Sequence, residues 1–187
     1  MSQTEKSNLV CPWWLCYSFD NPVRRLFHNP ETILRPYIKN GQTAIDVGPG
    51  MGYFTSAIAK LVGPQGHVTA VDIQQKMLSA VSRRAEKSGV SARVTCHLAA
   101  QDSLSLRTRA DFALAFWMVH EVPDQQKFLT EIYNAINPNG LFLLVEPKMH
   151  VRAKDFSTTL DLAQNIGFAL KESPEIRLSR SALLLRN

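Results

Sequence analysis

Along residues 43–145 the chain alternates between short, nearly continuous apolar runs and longer stretches in which apolar positions recur every three to four residues. The first pattern is that of a strand covered on both faces and the second that of a helix with one buried stripe. Their alternation predicts a doubly wound α/β fold, a mostly parallel sheet with helices on both faces. Five strand runs stand out, at 43–47, 67–71, 93–98, 111–118 and 141–145, with helices starting from Tyr53, Gln74 and Asp124. Turn chemistry closes each helix: Gly63-Pro64-Gln65-Gly66 the first, Ser88-Gly89 the second, Asn137-Pro138-Asn139-Gly140 the third. A fourth helix fits 155–166 and ends at Gly167; two further strands follow at 168–172 and 176–185, with Ser173-Pro174 as their turn. Residues 1–40 differ in kind, being rich in Trp, Pro and Arg, and predict a short cap, helical or irregular, ahead of a domain over 41–187.

Composition narrows this picture rather than changing it. A chain of 187 residues fits one domain with a core of its own, and so one site. No run approaches the roughly 20 apolar residues that cross a bilayer, so no membrane partner is expected. Residues 1–10 are polar and the first apolar run, 11–19, is short and aromatic, unlike a signal peptide. Cys11, Cys16 and Cys96 are odd in number and read as thiols in a reducing compartment, which makes the cytoplasm the expected location. The formal charge of +5 sits in the two ends of the chain, without the Lys/Arg stripe of a nucleic-acid footprint. Nucleic acid is therefore not the expected partner, and a monomer or homodimer is.

The most informative stretch is Ala44-Ile45-Asp46-Val47-Gly48-Pro49-Gly50-Met51-Gly52-Tyr53-Phe54, where a buried strand enters a glycine turn that opens a helix. Such a turn lets backbone approach a ligand, and the helix start offers unpaired N–H groups to an anion. The loop lacks the Gly-Lys-Ser/Thr ending of a phosphate loop, and Gly48, Gly50 and Gly52 are spaced G-x-G-x-G rather than G-x-G-x-x-G. Asp46 would repel a pyrophosphate. It would favour a ligand with an ammonium and a sulfonium, and S-adenosylmethionine has both, together with a carboxylate for the helix start. Asp72, at the end of the second strand, is placed to accept from its ribose hydroxyls, or else to cap the helix that follows.

With these residues in hand, the sequence resembles the class I S-adenosylmethionine-dependent methyltransferases over about residues 31–187, through Asp46–Gly52, Asp72 and Ala100-Gln101-Asp102. The resemblance implies a seven-stranded sheet, five parallel strands followed by a hairpin. It also implies that Ile73 packs on the adenine, that Gln101 or Asp102 meets its amino group beside Ala100, and that the strand end at 115–118, Phe116 included, lies beside the methyl donor. Pro49 departs from the Cys or Ala of many relatives and removes one backbone donor.

Methyl transfer is an in-line displacement that needs few catalytic side chains. The run Phe116-Trp117-Met118-Val119-His120-Glu121 differs from the Asn/Asp-Pro-Pro-aromatic run of enzymes that methylate DNA-base or protein-amide nitrogen, which leaves a small-molecule acceptor as the leading expectation. His120 is the candidate general base, or a histidine that ties down the loop after it. Trp117 and Glu146 are candidate substrate contacts, with core packing and strand-end capping as the alternatives; His67 and His150 read as surface residues. Trp13 and Trp14 offer apolar walls from the cap, and Arg24 and Arg25 either meet an anionic substrate or face water. Cys11 and Cys16, with C-x4-C spacing, do not form a zinc site, and no metal is expected; an arsenite-type thiolate set with Cys96 is an alternative, although Cys96 reads as core. An RNA methyltransferase and a non-catalytic cofactor-binding protein are the rival readings.

Overall fold

The computed structural model describes residues 27–187. In chain order these form α1 (Pro30–Leu34), β1 (Thr43–Val47), α2 (Tyr53–Leu61), β2 (His67–Asp72), α3 (Gln75–Lys87), β3 (Val94–Leu98), β4 (Ala110–Phe116), α4 (Gln125–Ala135), β5 (Ile136–Pro147), α5 (Ala153–Ile166), β6 (Phe168–Glu172) and β7 (Ser179–Arg186). Two single 3₁₀ turns, Ser91–Arg93 and Val119–Glu121, precede β3 and α4. The strands make one seven-stranded sheet in the order β3-β2-β1-β4-β5-β7-β6, with β1 to β5 parallel and β7 antiparallel to both neighbours.

The side-chain period of two divides the core into two layers. On β4, Phe112, Leu114 and Phe116 join Leu34, Phe54, Ile58 and Ala85 on the α1–α3 side, while Ala113 and Ala115 join Leu129, Ile132 and Ala163 on the α4–α5 side. Phe112, Leu114, Phe142 and Leu143 are wholly out of solvent, each stabilising the fold by about 1.5–3 kcal/mol. The central strands thus anchor the molecule. The first helix, from the segment expected to be a cap, belongs to this core: Leu34 is fully buried in the α1–α3 layer and Ile38 lies beside it.

The structure corrects five expectations. β3 is an edge strand, half-buried to exposed throughout, because β2 pairs with one side of it and no strand among the described residues pairs with the other. Cys96 on it is accordingly exposed rather than core. β4 stops at Phe116, since Trp117 takes a left-handed backbone (φ 63°) that no strand continues. Asn137-Pro138-Asn139-Gly140, expected as a loop, lies within the span of β5, which follows α4 at once; the irregularity is absorbed by a register shift against β4 and by φ 64° at Asn139. The last strand begins at Ser179 rather than 176: Ile176 turns into the core and Leu178 has φ 60°, so neither joins the ladder.

The strand order reverses between β1 and β4, and open sheets of this kind place ligands in the crevice outside the strand carboxyl ends at that point.

Candidate functional site

A cavity of about 930 Å³ lies in that crevice. Its floor is the turn from β1 into α2, where Gly48, Gly50 and Gly52 have φ of 65°, 54° and 80°. The three glycines answer different constraints. A Cβ on Gly48 would sit 2.9 Å from the Met118 side chain, and one on Gly52 would sit 3.0 Å from the backbone of Val81 on α3; one on Gly50 would meet no protein atom within 4 Å. Gly50 is therefore open toward the cavity it lines. The turn is closed by Gly48 N–H donating to the Val71 carbonyl (2.9 Å) and Gly52 N–H to the Pro49 carbonyl (3.0 Å). Asp46, 1% exposed, accepts the Thr55 hydroxyl at 2.6 Å, so β1 and α2 hold its carboxylate at the cavity floor.

Asp72, Ile73 and the 99–104 segment form one end of the cavity. Burial pushes the Asp72 carboxyl up to about 6, with the charge of Glu121 adding to the rise and backbone N–H donors of Gln74 and Ile73 opposing it. The Gln74 N–H reaches Asp72 Oδ1 at 2.8 Å, so this carboxylate orders the loop before α3 while also facing the cavity. Ala100, Gln101 and Asp102 are exposed on a tight turn closed by Ala100 N–H to the Ser103 carbonyl at 3.0 Å. Asp102 leans to Lys127 of α4, 3.6 Å away in solvent.

Aromatic rings line the opposite end. Phe116 stacks on Phe54 (centroids 4.3 Å apart, 28° between planes), and the buried His28 stands edge-on to Phe116 and Trp117 at 5.3 and 5.0 Å. The Trp117 indole N–H donates to Ser179 Oγ at 2.9 Å, tying the end of β4 to the start of β7. His120 lies on the 3₁₀ turn after β4. Its Nδ1 is 2.5 Å from Glu146 Oε2, and the other Glu146 oxygen accepts the Val119 N–H at 2.8 Å. A carboxylate already accepting one N–H is an acceptor for the second, so Nδ1 carries the proton, while Nε2 lies 3.9 Å from Oε1 of Glu121, which also lines the cavity. Burial draws the His120 pKa down, but the hydrogen bond and charge of Glu146, helped by the charge of Glu121, raise it above its ordinary value.

Of the residues singled out in the sequence, Asp46, Gly48, Gly50, Asp72, Ile73, Ala100, Gln101, Asp102, Phe116, Trp117 and His120 all line this cavity. Gly52 sits behind them as the α2 N-cap against α3. Glu146 differs from the expectation of a substrate contact: 2% exposed, it lies behind His120 with both oxygens engaged, and it is not part of the cavity wall. His150 is exposed as expected but also lines the cavity, edge-on to His120 at 5.7 Å. Trp13, Trp14, Cys11, Cys16, Arg24 and Arg25 fall outside the described residues. His28, Met149 and Leu178 carry no local signal, because no motif links positions so far apart; Glu121 stands beside His120 but in no motif of its own, and Thr55 has only a weak signal, nine residues after Asp46 at the helix start. Among the described residues, no group of three His, Cys, Asp or Glu could hold a metal ion, and no helix is long and apolar enough to cross a membrane.

The sequence model of the family described as "Methyltransferase domain" matches residues 38–175. The chain is 32% identical over 114 residues to a ubiquinone/menaquinone biosynthesis C-methyltransferase UbiE of Brucella anthropi, and 30% identical over 112 residues to a demethylmenaquinone methyltransferase of Lactobacillus johnsonii. These matches take in 60% and 58% of this chain but 43% and 45% of the relatives, so the chain spans less than half the length of the curated proteins it matches. A SAM-dependent methyltransferase from Aquifex aeolicus has the same fold, with a TM-score of 0.84 at 21% identity, covering 95% of this chain and 100% of that one. The chain belongs to the methyltransferase-domain family, in its class I Rossmann-like form, whose cofactor is S-adenosylmethionine.

Proposed function

We propose that this chain transfers a methyl group from S-adenosylmethionine to a small, largely apolar acceptor, with His120 as the base that takes the acceptor proton. The observation that carries this reading is the His120–Glu146 pair beside a cavity, lined by His120, that joins the glycine turn to an aromatic wall, with His120 Nε2 3.9 Å from Glu121 Oε1. The cavity lies near the upper end of the ~300–1,000 Å³ typical of ligand sites, which suits a cofactor and a small acceptor together.

The residues present fit the cofactor. Gly50, open on the cavity side, would let backbone approach its methionine carboxylate at the α2 N-terminus. Asp46 would face its cationic end, and Asp72 would accept from its ribose hydroxyls. Ile73 and the turn at Ala100, Gln101 and Asp102 would border its adenine. S-adenosylmethionine supplies an electrophilic methyl group on a sulfonium. The chain orients and shields: Phe116, Trp117 and Met118 exclude water from the acceptor end, and His120 Nε2 accepts the proton of a hydroxyl as the oxygen, or a ring carbon conjugated with it, becomes the nucleophile. Glu146 fixes the tautomer and steadies the imidazolium that forms. Relatives named for ubiquinone, menaquinone and demethylmenaquinone support an acceptor of quinone type, whose reduced quinol form carries the hydroxyl that His120 would deprotonate.

Calorimetric titration with S-adenosylmethionine and its demethylated product, with NADH as control, followed by turnover on neutral phenols and quinols, tests the reading. Binding of the first two and methylation of a phenol support it; absence of cofactor binding overturns it. Asp72→Ala is expected to weaken cofactor binding by more than ~1 kcal/mol, since buried hydroxyls lose a charged acceptor. The same contact gives a pH signature. As pH falls through about 6 the Asp72 carboxylate takes up a proton and loses acceptor strength, so cofactor affinity should fall with it in wild type and stay flat in the variant.

A further inference from the structure

The turn at the Asp72 end of the cavity has only short local hydrogen bonds of its own, Ala100 N–H to the Ser103 carbonyl and Ser105 N–H to Ser103 Oγ, and residues 99–104 line the cavity. It is anchored at its two ends: Ala99 is buried and its N–H donates to the Asp72 carbonyl at 3.0 Å, and Leu104 is held at the far end. The side chain enters the α4–α5 core layer, and the carbonyl accepts the Nε2–H of His97 at 2.8 Å. The N–H donates to Glu131 Oε2 of α4 at 2.5 Å, a contact between residues 27 apart in sequence. A carboxylate accepting a half-buried backbone N–H is among the stronger single hydrogen bonds a fold can make. Two residues before Leu104, Lys127 of the same helix reaches Asp102 at 3.6 Å, but that pair lies in solvent and contributes little.

At its other end α4 is tied to the base: Gln125 Nε2–H donates to the Val119 carbonyl at 3.2 Å, within the 3₁₀ turn that carries His120. Asp124, Lys127, Phe128 and Glu131, spaced one face apart on the helix, all border the cavity. One helix therefore touches both the cofactor wall and the catalytic turn.

We propose that Glu131 is a positioning residue for cofactor binding, which holds the 99–104 wall in place by accepting the Leu104 N–H and does not take part in the transfer step. This rests on the assignment of that end of the cavity to the cofactor, and the test separates the two. Hydrogen exchange at the Leu104 amide is measured in the cofactor-free protein, alongside titration with S-adenosylhomocysteine and kcat at saturating cofactor. In Glu131→Ala, Leu104 exchange is expected to accelerate and affinity to fall about tenfold, with kcat unchanged. Glu131→Gln keeps a carbonyl acceptor and should stay within about threefold of wild type. Asp111→Ala, at the far end of the sheet where Asp111 accepts from Thr43 and Asn137, serves as a destabilised control that lowers Tm without changing affinity. Unchanged Leu104 exchange in Glu131→Ala overturns the proposal, as does a fall in kcat with affinity intact, or an equal affinity loss in the Asp111 control. Faster Leu104 exchange in a protein whose wild type binds no S-adenosylhomocysteine would uphold the anchor and overturn the cofactor assignment, and with it the role proposed for Glu131.

Discussion

Replacing His120 by Gln should lower kcat by about 10²–10⁴-fold while leaving cofactor affinity unchanged, the range expected when a positioned base is lost. The pH profile makes the assignment specific. His120 is raised above the ordinary imidazole value, burial being outweighed by Glu146 and Glu121, so its base form fills only as pH rises through that raised value. The rising limb of kcat should therefore lie alkaline of about 6.5. Glu146→Gln removes the charge that holds the proton and should shift the limb toward lower pH, even as looser orientation reduces the plateau. A limb that stays in place in Glu146→Gln would assign the titration to another group. Stability follows the same sign. A raised folded-state pKa means that the pair's contribution is complete below the unfolded value and is lost as pH rises through the folded one.

The second large effect is expected at the turn into α2. Gly52→Val should destabilise the protein by about 2–5 kcal/mol, from the left-handed backbone at φ 80° and from a Cβ placed 3.0 Å from the Val81 backbone. A helix backbone cannot move aside as a flexible side chain can, so α2 and α3 would have to separate. Gly50→Ala carries the same kind of backbone penalty but meets no protein atom, and should cost cofactor affinity more than stability. Thermal unfolding and calorimetry on the two variants separate the roles; a Gly52→Val protein with unchanged Tm would refute the packing argument.

These two sites also show what could be read from the sequence. The glycine turn was legible because its chemistry is local: strand, three glycines and helix start lie within eleven residues, and Asp72 follows at the next strand end. The strand runs at 43–47 and 168–172 coincide with β1 and β6, since continuous apolar or hairpin-bounded runs leave few alternatives. β3 was misjudged because an apolar run states hydrophobicity and not position in the sheet, and only the strand order shows that it has one neighbour. The role of Glu146 was hidden for a related reason. His120 and Glu146 are 26 residues apart and meet only because β4 and β5 are adjacent and end at the same level. Glu131 and Leu104 were invisible for the same reason, as was His28, whose Nε2 contacts the Arg177 carbonyl across 149 residues.

That last span bears on assembly. β7 threads between β5 and β6, and the residues entering it hold the aromatic wall: the Arg177 carbonyl meets His28, and Ser179 meets Trp117. The half of the sheet that carries Asp46, Asp72 and the glycines is contiguous in sequence and closes short loops, whereas the aromatic wall waits for a contact across 149 residues, between His28 and Arg177. Folding should accordingly proceed from the glycine-turn half to a finished pocket, with the cavity floor built before its aromatic wall.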